Sequence, residues 1–491
     1  MKQPSNQPSD TPRPLKSLRL LSRSSVAFAM LLALTLTQAT RTAMAADRRP
    51  NVILLMPDQM RGQAMGIAGN DQVHTPNLDR LARGGLYLPN TIANNPVCCP
   101  ARATIVTGVY PHQHGMLVND LRLRASVTTL AERLADTGYA TGFVGKWHLD
   151  GGFWTPGFVP PGPRRQGFHF WAANVCNHLH FNSLYYRDTA DGIPIKRFET
   201  AVWMDEAVRF IQQNKDRPFF LWWACGPPHN PYGAPRKYEK LYDPQKLKLR
   251  PNWHDVSQFG SREDIAKYYA SITAIDVEVG RLMDTLDTLG LTENTIIIFT
   301  SDHGDMLGSQ NTIFKCKPWE ESIRVPGIIR YPKTIKPGQV RDLLVSHVDL
   351  APTLLSYCEV EDTHTMHGRN LRAQLDGDTT DEPEAVFLQI YEPRRMWGLP
   401  DAWRGVRTKR YTYARFRDKP WVLYDLQEDP YQLHNLVDDP AHDVIRTRLD
   451  ILIQQEMNRT HDNWTTNFIE KTAFANGPAL YYHPPDTQPD N

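Results

Sequence analysis

Residues Asn294-Thr295-Ile296-Ile297-Ile298-Phe299-Thr300-Ser301-Asp302-His303-Gly304-Asp305 decide the fold. The six residues from Thr295 to Thr300 form an unbroken β-branched and aromatic run with no polar alternation. A run of that length reads as a strand buried on both faces, which belongs in a parallel sheet covered by helices. It then breaks into oxygen- and nitrogen-bearing side chains, at the edge where open α/β sheets hold their ligands. Three more stretches repeat the pattern. Asn51 to Met56 ends in Pro57-Asp58-Gln59, and residues 140–145 end in Lys146-Trp147-His148. Residues 218–224 lead to Pro227-Pro228-His229-Asn230-Pro231, where three prolines fix the backbone around one histidine.

Between these runs lie helical patterns. Pro76 opens one that Gly84-Gly85 closes, and a long amphipathic one spans residues 262–289. The expected fold class is therefore α/β: a large domain with a central, mostly parallel sheet flanked by helices. Near residue 380 the pattern changes to short alternating runs at 385–391, 404–413 and 421–424, then a helix at about 441–457. This predicts a smaller C-terminal α+β subdomain with an antiparallel sheet. The expected division is a signal peptide over 1–45, a catalytic domain over 46–380 and the subdomain over 381–491.

The 491 residues are 41% hydrophobic, enough to bury a large core. A net charge of +1 with 22% charged residues gives no basic stripe, so nucleic acid is not an expected partner. Lys16, Arg19 and Arg23 precede an apolar run at 26–34 and the small-residue stretch Ala43-Met44-Ala45. That order is a cleavable secretory signal, which implies a secreted or periplasmic protein without stable membrane insertion after cleavage. The six cysteines, at 98, 99, 176, 225, 316 and 358, have neither zinc spacing nor the density of a disulfide framework.

One further stretch carries chemistry: Cys98-Cys99-Pro100-Ala101-Arg102, followed by Thr107-Gly108. Cys98, Pro100 and Arg102 spell C-x-P-x-R. With the four polar strand ends and the block Thr75-Pro76-Asn77-Leu78-Asp79, the chain resembles the type I sulfatases of the alkaline phosphatase-like superfamily over nearly its whole mature length. The resemblance implies that Cys98 is converted to 3-oxoalanine (formylglycine) by a formylglycine-generating enzyme. It also implies one divalent cation, and sulfate-ester hydrolysis through a covalent sulfo-enzyme intermediate on that residue. Ala101 stands where Ser is usual, Gln59 where many members have a second Asp, and His303 where many have Asn.

Carried over by position, the resemblance puts the metal on Asp58, Gln59, Asp302, His303 and an oxygen of modified Cys98. Such hard ligands suit Ca²⁺ best and Mg²⁺ second. It makes Arg102 and Lys146 the groups that hold the aldehyde hydrate, and His148 the group that handles its hydroxyl proton. His229 and Lys315 contact the sulfate, with His229 placed to protonate the leaving oxygen. Lys315 is preferred to Lys317 by its distance from Trp319-Glu320. The substrate is then a sulfated carbohydrate or aryl sulfate, with His178, His180, Arg394, Arg395, Trp397 and Arg404 as candidates for selecting it. Two alternatives fit the same residues: a phosphonate monoester or phosphodiester hydrolase using the same aldehyde, and a secreted glycan-binding pseudosulfatase with a plain Cys98.

Overall fold

Each strand of the core is built from residues that must be hidden on both sides. In the computed structural model, which describes residues 49–464 except 153–155, 257, 362–365 and 393–398, strand β1 (Asn51–Leu55) is buried throughout. Its side chains alternate between two apolar layers: Val52 and Leu54 enter one, Ile53 and Leu55 the other. The first layer also holds residues of the helices Cys98–Thr107, Leu130–Asp136 and His347–Tyr357. The second takes the helices Pro76–Arg83, Glu199–Asn214 and Arg262–Thr288. Ser261 and Asp264 start the last of these with a reciprocal capping box.

The central sheet adds β2 (Leu86–Tyr87), β4 (Ala140–Lys146), β5 (Phe170–Asn174), β8 (Phe219–Ala224), β9 (Thr295–Phe299), β10 (Ile328–Arg330) and β11 (Gln339–Val340). Its order is β11-β2-β10-β9-β1-β8-β4-β5. The five strands from β9 to β5 are mutually parallel, and β10 runs against both β9 and β2. Two short ladders pair β3 (Thr91–Ile92) with β12 (Val345–Ser346), and β6 (Ser183–Tyr185) with β7 (Ile193–Ile195). In the first layer Phe143, Trp147, Trp171 and Trp222 pack edge to face, Phe143 and Trp147 with ring centres 4.8 Å apart.

Gly145 shows why β4 ends as it does. Its φ is +115°, and a Cβ there would lie 1.9 Å from the Ala224 carbonyl oxygen. Only glycine lets β4 press on β8 just before Lys146 leaves the sheet.

The C-terminal runs form an antiparallel meander: β13 (Ala385–Ile390), β14 (Trp403–Thr408), β15 (Tyr411–Arg415) and β16 (Pro420–Asp425). The helix Asp443–Thr460 packs on it through Leu449, Ile453 and Met457. The meander is tied to the large domain by Asn94, which bonds Phe387, and by Trp403, whose indole donates to the Cys316 carbonyl. The apolar run at 26–34 and the residues Arg394, Arg395 and Trp397 lie outside the described residues. No described helix is long and apolar enough to cross a membrane.

Candidate active site

The ten residues carried over as catalytic or metal-binding come together at the carboxyl edge of the parallel strands. Cys98 is the first residue of its helix, Cys98–Thr107. It therefore faces the unpaired donors and positive dipole end of a ten-residue helix. Its Sγ lies 3.0 Å from Lys315 Nζ, 3.2 Å from His303 Nε2 and 3.8 Å from Asp58 Oδ1. Burial pushes the thiol up, but Lys315, Lys146 and His303 outweigh it and hold it well below its ordinary range.

Beneath Cys98 is a sealed ion-pair network. Arg102 donates to Asp302 Oδ2 through Nε at 3.1 Å and to Asp58 Oδ2 through a terminal nitrogen at 3.1 Å. Its other terminal nitrogen reaches the Lys146 carbonyl at 2.5 Å. Lys146 Nζ donates to Asp58 Oδ2 at 2.6 Å. One oxygen of each carboxylate is thus occupied by cations, and the Oδ1 atoms turn toward His303 Nε2, each 3.7 Å away. For Asp58, burial and the Cys98 charge raise the carboxyl, but Lys146, His229 and Arg102 prevail and keep it ionised. Asp302 is raised, by burial and then by the neighbouring Asp58 charge.

This donor set fits a divalent cation. The candidate ligand atoms of Asp58, Cys98, Asp302 and His303 all lie within 4.8 Å of one another and are buried. His303 Nδ1 donates to the Gly304 carbonyl at 2.8 Å, leaving Nε2 as the lone pair aimed at both carboxylates. A cation there would also relieve the repulsion that raises Asp302. Gln59 joins the group through its amide: Oε1 accepts from Lys315 Nζ at 2.9 Å, and its backbone N–H donates to Asp302 Oδ1 at 3.0 Å.

His229 meets Lys315 at 3.2 Å, Nε2 to Nζ, and Nδ1 lies 2.6 Å from the Asn230 carbonyl. Burial and the Lys315 cation push His229 down to about 4, whereas Lys315 is raised, burial being outweighed by Cys98 and Asp58. Lys315 Nζ thus stands between His229 Nε2 and Cys98 Sγ, within hydrogen-bond reach of both. His148 Nε2 meets Asp120 Oδ1 at 3.0 Å. Lys317 turns away and donates to the Ile313 carbonyl.

Three supporting residues had no role in the sequence reading: Asp120, Asp305 and Tyr232. Asp120 holds His148 from a loop that carries no motif. Asp305, three residues past Asp302, accepts from both Gln59 Nε2 and Tyr232, each at 2.6 Å. His178 stands edge-on to the His229 ring, centres 4.3 Å apart. Of the substrate-selecting candidates, His180 is committed to Glu199 and the His229 carbonyl, so it braces His229. Arg404 is fully buried, paired with Asp462 and stacked on Tyr391 and Trp464; it belongs to the subdomain core, because a guanidinium sealed in an ion pair offers nothing to a ligand. The six cysteines are all buried and unpaired with one another.

A parallel sheet whose edge gathers a helix-borne cysteine, two cation-locked carboxylates and a lysine–histidine pair defines a hydrolase of the alkaline phosphatase-like fold. The Sulfatase family matches residues 50–360, and an N-sulphoglucosamine sulphohydrolase C-terminal family matches 313–459. The chain is 35% identical over 450 residues to an ulvan-active sulfatase of Formosa agariphila, covering 88% of this chain and 87% of that one. It is 33% identical to an endo-4-O-sulfatase of Bacteroides thetaiotaomicron, covering 81% and 89%. A solved structure in complex with its substrate D-glucosamine-2-N,6-O-disulfate superposes with a TM-score of 0.76 at 25% identity, covering 84% and 99%. The chain belongs to the sulfatase family and is a sulfuric ester hydrolase.

Proposed function

We propose that the protein is an exported, calcium-dependent sulfatase that removes sulfate from a sulfated carbohydrate, with Cys98 matured to formylglycine. The observation that carries this reading is the convergence of Lys315, His303 and two buried carboxylates on the single atom Cys98 Sγ. When present, the aldehyde and the cation supply a recyclable attacking group and positive charge for the sulfuryl oxygens. Asp58, Gln59, Asp302 and His303 would hold the cation, and their predominantly oxygen donors favour Ca²⁺ over Mg²⁺.

The remaining work falls to the chain's own side chains. Arg102 and Lys146 neutralise Asp58 and Asp302 and lock them in place, so the edge of the cleft does not shift as charge moves. His148, fixed by Asp120, is the group beside residue 98 that handles its hydroxyl proton. Lys315 brings a positive charge and a proton to the position where sulfate and leaving oxygen must lie, and His229 Nε2, 3.2 Å away, can relay that proton. The carbohydrate preference is supported by the ulvan-active relative and by the neighbour solved with D-glucosamine-2-N,6-O-disulfate. Export is supported by the charged and apolar order of residues 16–46.

The test combines three measurements on the purified protein. Mass spectrometry should find the Cys98 peptide lighter than its thiol form. Sulfate release from a panel of sulfated saccharides should exceed phenyl phosphonate hydrolysis, and chelation should abolish it until Ca²⁺ is restored. A protein that retains the thiol yet turns over sulfate esters, or one that prefers the phosphonate, would overturn the reading.

A further inference from the structure

The carboxyl edge of the sheet carries a second polar cleft, of about 390 Å³, on the β2 side of the catalytic one. Because β2 and β9 both run against β10, Pro89 and Asn90 leave β2 at the edge where Asp302 leaves β9. Two strand spacings separate them, about 10 Å. The short helix Glu320–Ile323 stands between the clefts. Its Glu321 carbonyl packs on Gly304, beside His303, while Glu320 and the following Arg324 line the second cleft.

The cleft's acidic groups are already occupied. Both oxygens of Glu320 accept from Arg407, at 3.1 and 3.2 Å, and Asp342 takes the Asn90 amide. Lys409 is paired with Glu382 at 2.9 Å. Donors are left over. Arg250 bonds Glu321 through Nε alone and lies over the Tyr431 ring. Among the described residues, the terminal nitrogens of Arg250 and Arg324 make no hydrogen bond. Gln63 lines the same cleft, only 8% exposed, and neither atom of its amide has a partner. Buried polar groups are paired as a rule, and here the Gln63 amide and Arg324 Nε, which stands 3.7 Å from Glu320 Oε2, lack a hydrogen-bond partner and line one cavity. A donor-rich pocket whose carboxylates are already neutralised suits a multi-oxygen anion.

We propose that this cleft is a second anion subsite, taking a sulfate or carboxylate of the same saccharide chain whose ester is cut at Cys98. It rests on the sulfatase reading for the identity of that chain, but its binding test does not require turnover. A free inorganic anion has the same chemistry, so the experiment separates the two sources.

Calorimetry on the full-length Cys98→Ser chain would compare a dextran sulfate tetrasaccharide, isomaltotetraose and inorganic sulfate. The sulfated tetrasaccharide should bind at least tenfold more tightly than either control. Arg324→Gln should weaken it at least tenfold, and Gln63→Leu, which removes no existing hydrogen bond, several-fold. In the unsubstituted Cys98 background, the same two changes should leave kcat/KM for 4-nitrophenyl sulfate within twofold. Unchanged tetrasaccharide affinity in Gln63→Leu overturns the subsite, even if Arg324→Gln fails to fold. Equal binding of isomaltotetraose removes its anion character, and equal binding of inorganic sulfate removes its link to the saccharide. Failure of 4-nitrophenyl sulfate turnover in the parent protein would instead strike the sulfatase reading and leave the binding result standing.

Discussion

Asp305 accepts the Gln59 amide nitrogen on Oδ2 at 2.6 Å and the Tyr232 hydroxyl on the same oxygen at 2.6 Å. A carboxylate can only accept, so Gln59 must turn its NH₂ outward and present Oε1 to Lys315 and the cation cleft. Asp305→Asn removes that discrimination, because an amide can pair with either end of Gln59. Calcium affinity should fall about 10- to 100-fold, as when partners behind other metal ligands are lost. Titration calorimetry against Ca²⁺ measures it; undiminished affinity would show that Gln59 needs no such lock.

Arg102 hydrogen-bonds both Asp58 and Asp302, and all three side chains are fully buried. Replacing it by Met strips the Arg102 hydrogen bonds from both Asp302 and Asp58, and losing one partner of a buried pair costs about 3–5 kcal/mol. Urea unfolding of Arg102→Met should show a loss of that order. A stability within 1 kcal/mol of the parent would mean that the network is not fixed by this residue, on the roughly 1 kcal/mol scale of exposed pairs.

Lys315 contacts Cys98, His229 and Gln59 at once. Lys315→Met should lower kcat by a factor of about 10² or more, the scale for losing one charge-stabilising donor. It should also release His229 from the cation that helps depress it, so the His229 ring should titrate above its value of about 4. NMR titration of the histidine resonances follows this directly. An unmoved His229 would assign its depression to burial alone.

His347 is buried, its Nε2 is 2.9 Å from the Ser301 carbonyl, and burial holds it down to about 3. A histidine kept neutral in the folded state contributes fully above its unfolded value near 6.5. Between pH 6.5 and about 3 the unfolded chain binds the extra proton, so stability falls with falling pH, by up to about 1.4 kcal/mol per unit from this residue. Guanidinium unfolding at pH 7 and pH 5 should show a smaller difference for His347→Gln than for the parent. Equal differences would locate the acid sensitivity elsewhere.

The strands that build the site were legible because a doubly buried strand cannot disguise its composition: β1, β4, β8 and β9 fall where their apolar runs lie. The polar residues at their ends were legible for the same reason, as the first groups able to leave the core. The pairing of Lys315 with His229 was not, because it depends on a 3.2 Å approach between residues 86 apart in sequence. Nor was the backbone that aims the side chains. Gln59, His148, Phe314 and Cys316 all have positive φ, at 68°, 56°, 63° and 76°. Non-glycine residues take up that conformation only where the surroundings compel it, so nothing local in sequence announces it. Arg404 misled for the converse reason: a charged residue on a short strand resembles a ligand contact until its partner, Asp462, is found 58 residues on.

The reactive cleft draws on chain segments near residues 58, 98, 146, 229, 302 and 315, and Arg102 knots three of them into one salt-linked unit. None of those segments can take up its working position until β1, β4, β8 and β9 lie side by side. Competence is therefore all-or-nothing: a fragment or a half-assembled chain would hold no diluted version of the activity. On heating, hydrolysis and the tertiary signal from the tryptophan cluster should disappear together.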